Sequence, residues 1–364
     1  MSKIQLGVMF GSRSCEHEVS IISAVQLMRA ADRQIYDVIP IYISKKGEWF
    51  TGDALLEISA YTPFDESRKG VVRVNLDITA GSGALTRLEH GKGLLGKDRE
   101  VIVARLDCVI PVFHGMHGED GTIQGLFQLS GIPFVGCDTL ASAVCMDKAV
   151  TNILLEAAGI DQANFMWFYA SDYENVKEQV KEDIMADLGG YPVFVKPANA
   201  GSSVGVSKAK NAAELDKAVA IAAKEDKKIV IEECIVGKEV ECAVMGNAIP
   251  KVSVVGEIAP SAEFYDYEDK YKNGTSKVYI PAPLDDELSA EICNTAAKAY
   301  RALGCSGLSR VDFFVRDSDN AILLNEINTL PGFTSISMYS MLWKACGIDY
   351  GHLLDHIIQF AFDK

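Results

Sequence analysis

Ser309-Arg-Val-Asp-Phe-Phe-Val315, Arg316-Asp-Ser-Asp-Asn320 and Ala321-Ile-Leu-Leu-Asn-Glu-Ile-Asn-Thr-Leu-Pro-Gly332 read in succession as an apolar strand, a short polar turn and a second apolar strand. Side chains alternate across a strand, so Arg310 and Asp312 share one face of the first, and Glu326 and Asn328 share one face of the second. If the two strands pair as a hairpin, Asp312, Glu326 and Asn328 converge as oxygen ligands with Arg310 beside them. Such a set suits Mg²⁺, which takes hard oxygen ligands and binds through one or two carboxylates plus substrate phosphates. A solvated surface hairpin is the competing reading, and the apolar residues flanking the charges oppose it.

Working outward, 364 residues exceed one comfortable hydrophobic core, and the length predicts two or three domains. Apolar content of 48% and charged content of 23% are those of an ordinary globular chain. No apolar run approaches the length that spans a bilayer. The N-terminal run Ile4 to Phe10 enters a loop with Arg13, Glu16, His17 and Glu18, and reads as a first strand, not a signal peptide. Nine cysteines without a CxxC pair point to reduced thiols in the cytoplasm. A formal charge of −15 opposes wrapping a nucleic acid backbone, so any phosphate held here is small and met by a few placed cations. His352 and His356 stand at helical spacing, which more often decorates a terminal helix than holds a metal.

The first third alternates strand and helix: a strand Ile4 to Phe10, a helix Glu18 to Ala31, strands Tyr36 to Ile43 and Leu106 to Phe113, and a helix Thr122 to Leu129. This βαβ order implies a parallel sheet. Residues 44–100 read only as insertions and short strands. A helix from Asp147 to Ala158 opens a second unit, followed by a strand Tyr191 to Pro197, a loop Gly201 to Gly205, a helix Ala213 to Lys224 and a strand Lys228 to Glu233. Strands Val240 to Met245, Lys251 to Ile258 and Lys277 to Ile280, a helix Glu287 to Leu303 and the acidic hairpin form an α+β third unit. The expected domains are 1–138, 139–236 and 237–364.

The middle unit carries nucleotide chemistry. Lys196 ends an apolar strand, and Gly201-Ser-Ser-Val-Gly205 offers backbone N–H groups and two hydroxyls; amides plus an ammonium are what a triphosphate needs. No Gly-Lys-Ser or Gly-Lys-Thr opens a helix after this loop, so it is not a Walker pattern, and alone it reads equally well as a turn. Lys148 adds a second cation on the first turn of a helix. Ile229 to Glu239 is a buried strand leading to a connection whose peptide groups can pair with an adenine edge, while Glu239 can accept from ribose hydroxyls.

Two lysines, a Gly-Ser loop, an acidic connection and a Mg²⁺ hairpin together resemble the ATP-grasp superfamily. The resemblance sharpens at Gly11-Ser-Arg-Ser-Cys-Glu16-His17-Glu18-Val-Ser20, His114-Gly-Met-His-Gly-Glu119-Asp120-Gly121, Phe264-Tyr-Asp-Tyr-Glu-Asp-Lys270-Tyr271 and Asn328-Thr-Leu-Pro-Gly332-Phe-Thr-Ser-Ile-Ser337. These ordered motifs are similar to those of the D-alanine:D-alanine ligases and of the related D-alanyl-D-serine ligases, from about residue 4 to the C-terminus.

The resemblance implies an α/β and α+β chain of three domains, with a parallel-sheet domain ahead of two ATP-grasp units. It implies an ATP-dependent ligase that joins two D-alanines through an acyl phosphate for peptidoglycan precursors, as a homodimer in the cytoplasm, with no nucleic acid or membrane partner. Glu16 would anchor the first ammonium, and Ser202 with Tyr271 would link it to a mobile segment. Arg310 and the Gly332 N–H would stabilise the oxyanion. His114, Ser337 and Met338 would bind substrate. Lys148, Lys196, Ser203, Glu232, Glu233, Ile235, Glu239, Lys270 and Phe314 would bind ATP. Asp312, Glu326 and Asn328 would hold two Mg²⁺ ions, which Mn²⁺ can replace. Three positions depart from the pattern: Ser12 stands where a glycine is usual, Ile336 where a histidine is common and Ser340 where a proline often follows. Ile336 adjoins the second subsite, so D-alanine and D-serine both stay open there. Readings from other classes are a nucleotide-binding regulator without catalysis, opposed by the full ligand set, and a grasp-type carboxylase, opposed by the segments Glu16 to Ser20 and His114 to Asp120 and by the loop Pro331 to Ser335.

Overall fold

The computed structural model describes residues 2–364 except 15, 92–96, 202 and 260–276. In chain order the first unit holds β1 (Ile4–Gly11), α1 (His17–Ala30), β2 (Tyr36–Ile43), β3 (Trp49–Thr51), β4 (Val72–Leu76), β5 (Ala84–Glu89), β6 (Arg99–Arg105), β7 (Cys108–Val112) and α2 (Thr122–Ser130). Among the described residues these strands form one sheet in the order β6-β5-β4-β3-β2-β1-β7. β1 runs parallel to β2 and to β7, as the βαβ pattern predicts. From β3 to β6 the pairing is antiparallel, so residues 44–100 extend the parallel core sideways and do not merely interrupt it. Parallel neighbours need a crossover, which α1 supplies between β1 and β2; the short links from β4 to β5 and from β5 to β6 suit hairpins.

A short helix not expected from the sequence, α3 (Thr139–Met146), precedes α4 (Lys148–Ala157), the helix expected from Asp147 to Ala158. The Asp147 backbone bonds back to Ala143 O while its carboxylate accepts the Val150 N–H at 3.1 Å, ending one helix and capping the next. β8 (Phe165–Tyr169), α5 (Tyr173–Asp187), β9 (Val193–Pro197), β10 (Ser207–Ala209), α6 (Ala212–Ala222) and β11 (Lys228–Glu233) then build an antiparallel sheet, β10-β9-β11-β8. Its core lies between the sheet and helices α5 and α6, with Val193, Val195, Ile229 and Ile231 against Ile184, Leu215 and Val219.

The rest comprises β12 (Gly237–Gly246), β13 (Lys251–Ala259), β14 (Lys277–Tyr279), α7 (Asp286–Ala302), β15 (Gly307–Arg316), β16 (Ile322–Asn328), α8 (Met338–Ala345) and α9 (Tyr350–Phe362). The strands form an antiparallel sheet, β14-β13-β12-β15-β16. α7, capped by Asp285 on the Leu288 N–H, packs Ile292, Ala296 and Tyr300 on one face, with α3 and α4 adding Ala141 and Leu155. Helices α8 and α9 pack elsewhere: Leu353, Leu354, Ile357 and Ile358 join one core with Leu6, Val8 and Ile110 of the N-terminal sheet. That shared core brings the ends of β1 and β7 to the acidic hairpin.

Candidate functional site

β15 and β16 pair as a hairpin with Asp312 opposite Glu326 and Arg310 opposite Asn328. The pairing slips by one residue between Asp312 and Phe313, where β16 carries an extra residue; such bulges re-aim side chains beside sites. On the other flank of β15, β12 sets Glu241 opposite Asp312 and Glu239 opposite Phe314. Directly opposed residues share a face, so Glu239, Glu241, Arg310, Asp312, Phe314, Glu326 and Asn328 stand on one side of the sheet.

The Arg310 fork donates to Asp312 from Nε at 2.7 Å and from Nη2 at 2.6 Å, and Nε lies 2.9 Å from Glu241 Oε2. Burial disfavours the charged guanidinium, yet the Asp312 and Glu241 carboxylates, with Glu326 behind them, outweigh it and hold its pKa well above the ordinary value. Asn328 Oδ1 accepts the Leu330 N–H at 3.0 Å, which turns the chain into Pro331 and Gly332. A Cβ at Gly332 would lie 3.3 Å from Ser337 Oγ, and that hydroxyl in turn meets the Thr334 N–H at 3.0 Å. Met338 opens α8 with its side chain in the shared core, while Ile336 is 78% exposed beside it. The donor set of two carboxylates and a carboxamide is of the hard-oxygen kind that fits Mg²⁺, provided Asp312 shares its oxygens with the cation as well as with Arg310.

On the central sheet Lys196 and Glu232, diagonal neighbours on β9 and β11, form an ion pair at 2.5 Å with side chains 13% and 9% exposed. Lys148, on the first turn of α4, donates from Nζ to Ala200 O at 2.8 Å, immediately before the Gly201 to Gly205 loop. Glu233 accepts the Asn164 N–H at 2.7 Å, Ile235 is half-buried in the β11–β12 connection, and Ser203 has a positive φ of 58°. Ser202, Lys270 and Tyr271, all expected in the site, lie outside the described residues.

At the N-terminal sheet, Glu16 stands at the start of α1, 4% exposed. Ser20 Oγ accepts the Gly11 N–H at 2.8 Å and donates to Val112 O at 2.5 Å, clamping α1 to the ends of β1 and β7. His17 bonds Ser12 O through Nδ1 at 2.6 Å and the Tyr42 hydroxyl through Nε2 at 3.1 Å. Ser12 has φ of 82°, left-handed backbone that favours the glycine usual at this position. Gly115 approaches so closely that a Cβ there would sit 3.1 Å from Glu16 Oε2. His114 is buried, and burial lowers its pKa against the opposing pull of Glu16; among the described residues its Nε2 has no hydrogen-bond partner.

Two further residues of the site carried no distinct signal in sequence. Glu241 is one, visible only through strand register. The other is Glu119, in the His114 to Gly121 motif. Burial pushes its carboxyl up to about 7, the Gly115 N–H at 3.1 Å and Lys148 pull it down, and the Glu16 and Glu326 carboxylates push it up. It therefore stands among groups from all three sheets' surroundings.

Two antiparallel α+β sheets, one bearing the lysines and the other an acidic hairpin, define an ATP-grasp protein. The finer assignment comes from relatives. A model of the D-Ala–D-Ala ligase N-terminus matches residues 5–137, and one of the C-terminus matches 154–359. The chain is 46% identical over 363 residues to the D-alanine–D-alanine ligase of Acetivibrio thermocellus, covering 98% of this chain and 95% of that one. It is 45% identical to the Clostridium acetobutylicum ligase, covering 100% and 99%. The crystal structure of VanG D-Ala:D-Ser ligase from Enterococcus faecalis superposes with a TM-score of 0.85 at 37% identity, covering 99% and 100%. The Coxiella burnetii D-alanine-D-alanine ligase superposes at 0.82 with 32% identity, covering 100% and 95%. The chain belongs to the D-Ala–D-Ala ligase family.

Proposed function

We propose that this enzyme joins two D-alanines at the expense of ATP, giving D-alanyl-D-alanine, ADP and phosphate for peptidoglycan precursors. The observation that carries the reading is full-length identity of 46% and 45% to proteins named as that ligase. The competing D-alanyl-D-serine product is supported by the likeness to the D-Ala:D-Ser ligase and by Ile336 beside the second subsite. Discrimination by a small substituent amounts to about 1 to 3 kcal/mol, which one side chain can set.

In this mechanism Glu16 receives the ammonium of the first D-alanine and His114 lines its subsite. The substrate carboxylate attacks the γ-phosphate while Lys148, Lys196 and Lys270 neutralise the charge in flight. Glu232, Glu233, Ile235, Glu239 and Phe314 hold the adenosine, and Ser203 meets the phosphates. Asp312, Glu326 and Asn328 are the residues that would hold two Mg²⁺ ions, which would neutralise phosphate oxygens; Mn²⁺ would serve in their place. The second amine attacks the acyl phosphate with its carboxylate at Ser337 and Met338. Arg310 and the Gly332 N–H then take the oxyanion, the task preorganised donors do best. Ser202 and Tyr271 link Glu16 to the covering segment. Units 1–138, 139–236 and 237–364 act as the three working bodies, in a cytoplasmic homodimer. Among the described residues no helix is long and apolar enough to cross a membrane.

The test is Mg²⁺-dependent phosphate release from ATP with D-alanine, D-serine or both, products identified by mass. D-alanyl-D-alanine as the main product is expected. A mixed dipeptide would move the enzyme to the D-serine type, and release independent of amino acids would sink the ligase reading.

A further inference from the structure

Glu241 is buried, 6% exposed, on a strand that supplies none of the metal donors proposed above, and its Oε2 lies 2.9 Å from Arg310 Nε. Register explains the contact. β12 places Glu241 directly opposite Asp312, with Arg310 two residues further along the same face of β15, so the guanidinium lies between two carboxylates of neighbouring strands. A guanidinium presents five N–H donors. Nε donates its one hydrogen to Asp312 Oδ1 and lies 2.9 Å from Glu241 Oε2 as an ion pair, and one N–H of Nη2 goes to Asp312 Oδ2, so these contacts leave the Nη1 pair and the second Nη2 N–H for a substrate oxygen.

One difficulty of the site follows from the same contacts. Asp312 serves as the fork acceptor for Arg310 and is also the carboxylate proposed for the metal. A divalent cation that draws on the Asp312 oxygens weakens the hold on the arginine at the moment the arginine is needed. A second carboxylate that binds no metal removes the conflict. We propose that Glu241 is a positioning residue, which keeps Arg310 aimed at the reaction centre when Asp312 is taken by the metal. The inference rests on the roles given above to Arg310 and Asp312. Glu241 touches neither substrate nor nucleotide in this account and acts through the guanidinium.

The experiment compares Glu241→Leu, which fills the space without charge, and Glu241→Gln, which keeps a neutral acceptor, in the full-length enzyme and again in an Arg310→Ala background, with dipeptide detected by mass so that slow variants stay readable. Supporting groups of this kind are worth roughly tenfold to a hundredfold in turnover. We expect that loss in kcat for Glu241→Leu, a smaller one for Glu241→Gln, and KM values for ATP and D-alanine near the parent's, because an interaction made only in the transition state shows in kcat. In the Arg310→Ala background neither substitution should lower turnover further. Equal losses in both backgrounds, or parental kcat for Glu241→Leu, would overturn the proposal; if Glu241→Leu does not fold, Glu241→Gln decides on the same criteria.

A second readout is independent of turnover: the Nε–H proton resonance of Arg310, identified by its absence from Arg310→Ala. In the parent it should stay protected from solvent exchange when Mg²⁺ and ADP are added, whereas in Glu241→Leu protection should be lost on that addition. Retained protection in Glu241→Leu refutes the holding role. Parental turnover of Arg310→Ala would instead remove the catalytic reading of the arginine, and the resonance would still decide what Glu241 does.

Discussion

Replacing Glu119 by glutamine should make the protein more stable at alkaline pH while leaving it unchanged in acid. Its carboxyl is pushed from an ordinary 4.5 up to about 7, chiefly by burial and next by the Glu16 and Glu326 carboxylates, against the Gly115 N–H and Lys148. A folded-state pKa above the unfolded one means that between the two values the native state holds a proton the unfolded chain has released. Stability therefore falls as pH rises through that window and levels off above about 7. At 1.36 kcal/mol per pKa unit, the interval from 4.5 to 7 amounts to about 3 kcal/mol as an upper figure. Glutamine keeps an acceptor for Gly115 and removes the charge, so it should recover most of that amount at pH 8.5 and none at pH 4. With an unfolding entropy near 2.1 cal/mol/K per residue, a chain of this length gains about 4 °C in Tm. The assay is a pair of melts at each pH without nucleotide or divalent ions. A Tm difference that does not grow with pH, or a variant less stable than the parent at pH 8.5, would refute the reasoning.

Other perturbations follow from contacts already described. Asp312→Asn should lower dipeptide formation about a thousandfold, the scale on which preorganised charge acts, and weaken Mn²⁺ binding measured with ADP present; a parental rate would remove Asp312 from the metal set. Lys196→Ala strands the Glu232 carboxylate, 9% exposed, without its cation, which should destabilise the protein by about 3 kcal/mol or more in denaturant titration, and a change under about 1 kcal/mol would show the pair to be dispensable. Ser20→Ala deprives Gly11 N–H of its acceptor at the start of the first substrate's loop, costing about 1 to 3 kcal/mol in stability and raising KM for D-alanine more than KM for ATP. Equal changes in both KM values would separate Ser20 from that subsite.

The acidic hairpin was legible because alternation in strands is strict: Arg310 and Asp312, Glu326 and Asn328 could be assigned to faces from spacing, and the register then sets them opposite one another. The helix from Asp147 was legible through its capping aspartate and apolar spacing, whereas the eight-residue α3 just before it is too short to show a helical period. Residues 44–100 resisted for a different reason. β5 buries Ala84, Leu85 and Thr86 in succession and leaves Leu88 54% exposed between Arg87 and Glu89, so no clean alternation marks a buried face. Glu119 stood within the His114 to Gly121 motif, but its environment and that of Glu241 were not legible because the charges around them come from distant sequence. One owes its environment to Glu16, Glu326 and Lys148, far away in sequence, and the other to its partner across a strand pair. Ser12 shows the reverse: it was noted only as standing where a glycine is usual, and its φ of 82° supplies the physical reason for that preference.

The packing of α9 against β7 bears on how the polypeptide is made. β7 ends at Val112, yet the side chains that cover its Ile110 include Ile357 and Ile358 of α9, which are synthesised long after it. Until α9 is made the first sheet thus carries an apolar strand at its edge with one cover missing, the kind of surface on which nascent chains associate. Such distant pairing also slows folding, since the intervening chain must be ordered before the contact forms. The N-terminal sheet thus depends for part of its interior on a helix distant in sequence, and α9 acts as its closing piece.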